Sequence, residues 1–465
     1  MEPLGITTPA ASPVSAATPP TPWSPATRFG FRIAFLYFFC FIFFDSNGTL
    51  FQAFPVVGGW IQDKLNWPFN HLSEFIGQHL FHLTGIAAHW HPSDSGDTTM
   101  NWIQNGLLLT FALAGGILWT VIAHLRNNRR TEYRALHAWL RFVLRLTCGM
   151  FMVIYGLAKV FPFQMPPPSI AILNEPAGNM APMTFLWNLI GLNPVYEIIC
   201  GSAEVLGGIL LFYRRTALAG ALFSTFVVTN VVLYNFCYDV PVKLFAVNLL
   251  LGCIFLALPD ALSLCRFFWS HKPAAPTAAW VPPASRRAGR IAILVTEIVF
   301  AAAFLVVQPI FMSIGWHHLR VALRTPSPLI GAWHLDATHP ASGAFIDPEG
   351  RPITDLYVAP SSRAYTRSTD GELWLSGVDL DPKKHTVRIN CYFIAPPTNY
   401  AWQLSDPSHL ILTSVPPHPP KPGPKQKPAA PFSPAVLTFT RTPTPDHYPL
   451  LERGFHFISE WRYER

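Results

Sequence analysis

Seven apolar runs, each long enough to cross roughly 30 Å of hydrocarbon, dominate the pattern along the chain, at residues 29–45, 103–124, 138–161, 186–213, 216–237, 242–260 and 291–314. They predict about seven membrane-spanning helices. After residue 325 the period changes. Short segments alternate apolar and polar positions with β-branched and aromatic residues: Gly331 to Leu335, Glu372 to Leu375, His385 to Phe393, Tyr400 to Leu404, His409 to Thr413 and Val436 to Thr440. Period two in such residues predicts strands. The expectation is a small antiparallel β-domain over 325–465, a barrel opening at Gly331-Ala332-Trp333. The Pro- and Lys-rich run Pro416 to Pro434 reads as an exposed loop. The fold class is thus mainly α, a polytopic helical bundle with a C-terminal β-domain.

Composition agrees. Of 465 residues 50% are hydrophobic and only 13% charged, against roughly 25% charged in soluble domains. The net charge of +7 is a topology signal. Arg28 and Arg32, Arg126 to Arg134, Arg214 and Arg215, and Arg266 to Arg290 fall on alternate connections, and arginine-rich connections face the cytoplasm. The amino terminus is then inside and the β-domain outside; Arg320 and Arg324 run against the rule, which binds large translocated domains less. Basic and aromatic residues are not interleaved as a nucleic-acid surface requires, so no nucleic-acid partner is expected; the bilayer is the obvious one. Residues 1–27, rich in Pro, Ala, Ser and Thr, read as a disordered cytoplasmic tail, and the first span as an uncleaved anchor because no small-residue cleavage site follows it. The remaining divisions are a two-span segment 28–134, a four-helix unit 135–270, a cytoplasmic linker 271–290 and the last span.

Candidate chemistry concentrates between Tyr155 and Asn248. Tyr155, Lys159, Glu197, Glu204, Asn230, Asn235, Asp239, Lys243 and Asn248 lie in or beside apolar runs, where an ionised group is costly unless paired or wetted. Glu197 and Glu204 are seven apart, two turns along one face, and Gly207 and Gly208 permit close helix packing. These residues are expected to converge on the outer half of the bundle, as a polar pocket for a ligand head group or as a network fixing helix register. Arg141 and Arg145, near an inner span end, are expected to snorkel. Residues 46–102, with Trp60, Trp67, Trp90 and Trp102, suit amphipathic helices at the membrane surface. There His79, His82, His89 and His91, with Glu74 upstream, have spacing that can ligate a metal, although amphipathic surface histidines fit the segment better. The seven cysteines contain no C-x-x-C and read as small apolar filler, with Cys391 a free thiol.

Tyr155-Gly156-Leu157-Ala158-Lys159-Val160-Phe161-Pro162-Phe163-Gln164, Tyr196-Glu197 through Gly207-Gly208, Arg214-Arg215-Thr216, and Asn235-Phe236-Cys237-Tyr238-Asp239-Val240-Pro241-Val242-Lys243-Leu244 together resemble the DoxX-like membrane proteins. Ser95-Gly96-Asp97-Thr98-Thr99 and Arg453-Gly454-Phe455-His456-Phe457-Ile458-Ser459-Glu460 resemble longer bacterial members. The resemblance implies a four-helix unit over about 135–270 in the bacterial cytoplasmic membrane. By the family's namesake, a small subunit of a thiosulfate:quinone oxidoreductase, it also implies a quinone as cofactor and a membrane redox partner subunit. The expected role is an accessory or quinone- or lipid-interacting component of a membrane redox or envelope process. The alternatives are a small-solute or proton transporter with Glu204 as its titrating carboxylate, and a scaffold or binding protein acting through the β-domain. No nucleotide, zinc-hydrolase or haem motif appears, so the residues name no reaction.

Overall fold

The computed structural model describes residues 22–45, 47–54, 57–90, 96–127, 130–273, 280–324, 327–339, 345–347, 349–360, 363–381, 384–391, 398–415, 434–445 and 447–452. Most of the tail, His91, Ser95, the Pro-rich run from Pro416, the Arg453 to Glu460 motif and the Cys391 side chain lie outside the described residues.

The helices are α1 (Pro25–Phe44), α2 (Gly58–His79), α3 (Thr99–Leu125), α4 (Arg134–Val160), α5 (Ile170–Leu173), α6 (Pro182–Gly191), α7 (Pro194–Phe212), α8 (Ala217–Cys237), α9 (Lys243–Ser270) and α10 (Arg287–Arg324). Seven of them, α1, α3, α4 and α7 to α10, are long and apolar enough to cross a membrane. In α10 a π turn at Ala303–Val307 puts Phe304 in the core. Its 38 residues reach roughly 57 Å at 1.5 Å each, so α10 continues past the predicted end at residue 314. One predicted span is corrected. The apolar run 186–213 is two helices, because Pro194 has no N–H to continue α6 and the Asn193 side chain instead caps α7 at Val195 N, 3.0 Å away. Three of the free cysteines, Cys40, Cys148 and Cys253, are buried filler; Cys237 and Cys265 are exposed.

α4 is the hub, buried over most of its length. It packs against α7 through glycines repeated every seven residues. A Cβ on Gly156 would stand 2.7 Å from Gly201 O, and one on Gly208 would stand 2.9 Å from Gly149 O. Both are closer than real Cβ atoms approach, so the two backbones touch because neither helix has a side chain there.

The C-terminal domain is a closed barrel of eight antiparallel strands in sequential order: β1 (Gly331–His339), β2 (Ile353–Val358), β3 (Arg363–Ser368), β4 (Leu373–Asp381), β5 (Thr386–Cys391), β6 (Thr398–Asp406), β7 (His409–Val415) and β8 (Val436–Thr442). Closure between β1 and β8 removes the free sheet edges. Side chains including Trp333, Leu356, Leu412 and Phe439 fill the interior, as expected when eight strands leave room only for side chains. Trp333, on the strand predicted to open the barrel, is fully buried, donates to Leu329 O at 2.8 Å and lies under the Arg441 guanidinium. Two strands, β2 and β3, were not predicted. The barrel meets the bundle at the loop after α4: Arg367 pairs with Glu175 at 2.6 Å and Asn174 donates to Tyr448 Oη at 3.0 Å. By the alternation of the spans, that loop is on the face opposite the arginine-rich connections.

Candidate functional site

The glycine contact between α4 and α7 decides what happens one turn further along α4. It brings Lys159 against α7, where Nζ donates to both carboxylate oxygens of Glu204 at 2.8 Å. Both side chains are almost wholly buried. An ammonium has three N–H donors, and two are spent here. The pair forms one wall of a cavity of about 50 Å³ between α4, α7, α8 and α9, enough for a few water-sized groups. Tyr155, Gln164, Tyr234 and Asn235 supply its other polar lining, and Phe151, Trp187 and Phe245 its aromatic lining. Gln164 Oε1 and Asn235 Oδ1 are buried and have no hydrogen-bond partner among the described residues. Buried acceptors without a donor are rare. The cavity therefore presents an ammonium on one side and orphan carbonyl oxygens on another.

Of the nine polar residues predicted, Tyr155, Lys159, Glu204 and Asn235 meet at this cavity. Glu197 is fully buried but faces the loop after α4, accepting from Met165 N at 3.0 Å; it holds in place the segment that carries Gln164. The other four are placed elsewhere. Asn230 is exposed, because the five-residue step from Asn235 turns a helix by about 140°. Asp239, in a left-handed turn (φ 53°), is exposed and binds Lys243 Nζ at 2.6 Å. Pro241 does not open α9. Instead Asp97 caps it, accepting from Lys243 N at 2.6 Å and Leu244 N at 3.0 Å. Asn248 serves a separate network: it takes the Tyr37 hydroxyl on Oδ1 and gives Nδ2 to Asp45 and Asn105, both at 3.0 Å.

The motif around Gly96 thereby gains a physical reason. Thr98 caps α3 in a reciprocal box with Asn101, Asp97 caps α9, Gly96 N donates to Pro241 O at 2.8 Å, and Asn47 Nδ2 donates to Gly96 O at 2.8 Å. A Cβ on Gly96 would stand 2.4 Å from Asn47 Oδ1. Gly96, Asp97 and Thr98 thus tie the starts of α3 and α9 and the segment after α1 into one knot.

The expectation for Arg141 and Arg145 is corrected. Neither snorkels, and both are fully buried. Arg141 donates to Leu256 O at 2.9 Å, lies 3.6 Å from Asp260 and stacks over Trp280. Arg145 donates to Leu211 O and Phe212 O, both at 2.8 Å, and pairs closely with Glu297. The last carbonyls of a helix lack intrahelical donors, and this guanidinium supplies two of them at the end of α7. The missed signal was Glu297, a lone carboxylate inside an apolar span.

Among the described residues His79, His82 and His89 do not converge. His79 Nδ1 bonds the Phe75 carbonyl of its own helix at 2.9 Å, His82 sits in a left-handed turn, and His89 lies 4.0 Å from Glu74. Among the described residues no group of three or more His, Cys, Asp or Glu is placed to hold a metal ion.

Fold and site together define a class, a multi-pass membrane protein with a small cavity beside a buried ion pair and a β-barrel fused to its last helix. Over 116 residues the chain is 34% identical to the uncharacterized protein YwoB of Bacillus subtilis (strain 168), a match covering 25% of this chain and 73% of YwoB. The chain belongs to the same family as YwoB, whose name assigns neither reaction nor ligand. No family model matches the chain, and no solved structure does.

Proposed function

We propose that this chain is a DoxX-like component of the bacterial cytoplasmic membrane, with the barrel on the extracytoplasmic side. Its cavity beside Lys159 and Glu204 receives the polar head group of a quinone or lipid, in support of a membrane redox or envelope process. The observation that carries this reading is the pairing of opposite hydrogen-bond needs in one cavity. Lys159 has an N–H left for a carbonyl, while Gln164 Oε1 and Asn235 Oδ1 need donors such as hydroxyls. A quinone carbonyl offers the first partner and a quinol or lipid hydroxyl the second, and at about 50 Å³ the cavity takes that polar end alone. Glu204 holds Lys159 Nζ in place through both carboxylate oxygens. The chain's own residues bind and orient; electrons would have to come from a partner subunit.

Extraction of the full chain purified in mild detergent, followed by mass spectrometry of the extract, tests this reading. One quinone or lipid per chain is expected over and above any lipid that both proteins carry, and that one is lost in Lys159→Met. Equal amounts in the two proteins would sink the assignment.

A further inference from the structure

A larger crevice lies across α9 from the Lys159 cavity. Its walls come from α1 (Ile33, Phe38), α3 (Trp102, Leu109) and α9 (Leu251, Leu258), and it is an open groove of about 770 Å³. That size is within the range of ligand sites, about 300 to 1,000 Å³. Along α9 it runs from Leu244 to Leu258, roughly 21 Å at 1.5 Å per residue. A single leaflet of a bilayer is only about 15 Å deep, half of the ~30 Å hydrocarbon core.

Two glycines keep this space open. Gly30 and Gly106 both line the crevice, and a Cβ built on either meets nothing within 4 Å. Trp102, Leu109, Leu251 and Leu258 are exposed, so the crevice is an open groove in an apolar face that the spans turn to the bilayer, and with no side chain at the two glycines a hydrocarbon chain can lie in it. Water does not suit walls this apolar. The crevice also has a polar end, near the starts of α3 and α9. Asn105, Tyr37 and Asn248 line it there, with Asn248 donating to Asp45 and to Asn105 Oδ1 and accepting from the Tyr37 hydroxyl. Asn105 gives one amide N–H to Asn101 O at 3.3 Å, and its second is available to a carbonyl.

We infer that this crevice is a lipid-chain site. It takes one extended hydrocarbon chain from the surrounding membrane, with the chain's carbonyl end at Asn105 and its methyl end towards Leu258. The chain belongs to a glycerolipid of the surrounding membrane, recognised through its ester carbonyl. This site does not depend on the reading of the Lys159 cavity, which lies on the other face of α9.

The full chain, reconstituted in phosphatidylcholine vesicles, should be photolabelled with phosphatidylcholine carrying a diazirine in one acyl chain, and in a parallel sample with a diazirine fatty acid. Adducts are mapped by peptide mass spectrometry. Labelling of Ile33, Leu109 and Leu251 is expected to exceed that of the lipid-exposed controls Phe226 and Leu262 at least threefold, and to fall at least threefold in Gly106→Phe. Because Gly30→Leu fills the same space from another helix, it should give the same loss and covers the case in which Gly106→Phe does not fold. Labelling by the fatty acid alone overturns the proposal, since the occupant would then carry a free carboxyl group and no ester. Labelling no higher than at the controls, or unchanged in both variants, overturns the proposal. So do adducts blocked by crosslinks between two copies, since a second copy would then be the occupant.

Discussion

The two ends of α4 carry buried charge in contrasting ways. At one end Arg145 has its guanidinium committed to two main-chain carbonyls and to Glu297. Four turns further along, Lys159 is held by Glu204 alone and faces a cavity with unsatisfied acceptors. Planar arginine forks suit fixed networks of several acceptors, whereas a lysine is a compact charge on a flexible stem. The first arrangement completes a helix terminus and positions α10 against α7. The second leaves capacity for something that is not protein. Buried charge in a membrane is a functional candidate by default, but the contrast shows that what the charge faces, main-chain carbonyls and a carboxylate or an open cavity, separates scaffold from site.

Mutating the two pairs breaks or sharpens that contrast, and this is the largest effect expected. Arg145→Met strands Glu297 and removes the donors to Leu211 and Phe212, a loss of about 3 to 5 kcal/mol. The double variant Arg145→Met/Glu297→Leu should recover only part of it, since the two carbonyls still lack donors. Lys159→Met also strands a carboxylate, yet Lys159→Met/Glu204→Leu should return close to wild-type stability, because replacing a whole buried pair by apolar residues is often near neutral. Thermal unfolding in detergent reads all four. Equal recovery by both double variants would erase the distinction.

Much of this was legible in the sequence. Seven spans, the strand opening at Gly331 and the convergence of Tyr155, Lys159, Glu204 and Asn235 follow from periodicity and from the cost of charge in hydrocarbon. What stayed hidden had physical reasons. The arginine pairs were hidden because Arg145 and Glu297 are 152 residues apart and a basic residue near a span end ordinarily reaches water. In β3 the inward positions are Ala364, Thr366 and Ser368, small or polar residues that leave no apolar alternation; in β2 an irregularity in register between Ile353 and Asp355 breaks the period. The Asn193-Pro194 break was marked by its dipeptide, but the apolar run around it masked the signal. Asn230 was grouped with Asn235 by proximity in sequence, and helix phase alone separates them.

The close approach that sets up the Lys159 side can be tested with one methyl group. In Gly156→Ala the new Cβ would meet Gly201 O at 2.7 Å and Val205 N at 2.8 Å, and backbone atoms cannot rotate away as a side chain end can. α4 and α7 must separate, at about 1 to 3 kcal/mol by analogy with overpacked cores, and the Lys159 to Glu204 geometry should loosen with them. Gly59→Ala, at a position with open space around it, should be neutral or slightly stabilising. Comparable losses at both positions in thermal unfolding would mean that helix flexibility, rather than contact, governs this site.

The smallest expected effect extends the contrast to the barrel, where a third buried charge can be titrated in water. Burial alone would push the Asp347 carboxyl up, but hydrogen bonds from Arg351 N, Ser368 Oγ, the Arg351 guanidinium and Glu349 N outweigh it and hold the group below the usual carboxylate range. A carboxyl depressed in the folded state contributes stability that is fully present above its unfolded value, about 3.9 for aspartate, and is lost as pH falls through the folded value. Wild type should therefore be more stable than Asp347→Asn at pH 7, and the gap should close below about pH 4 as Asp347 takes up its proton. The barrel fragment 325–465, expected to fold alone with a β-type circular dichroism spectrum and one cooperative melt, is the material for this titration; failing that, the near-ultraviolet signal of the full chain serves. Should the gap be as wide at pH 2 as at pH 7, the carboxylate charge would not be what the Arg351 and Ser368 contacts stabilise, and Asp347 would be a saturated scaffold group through its shape alone.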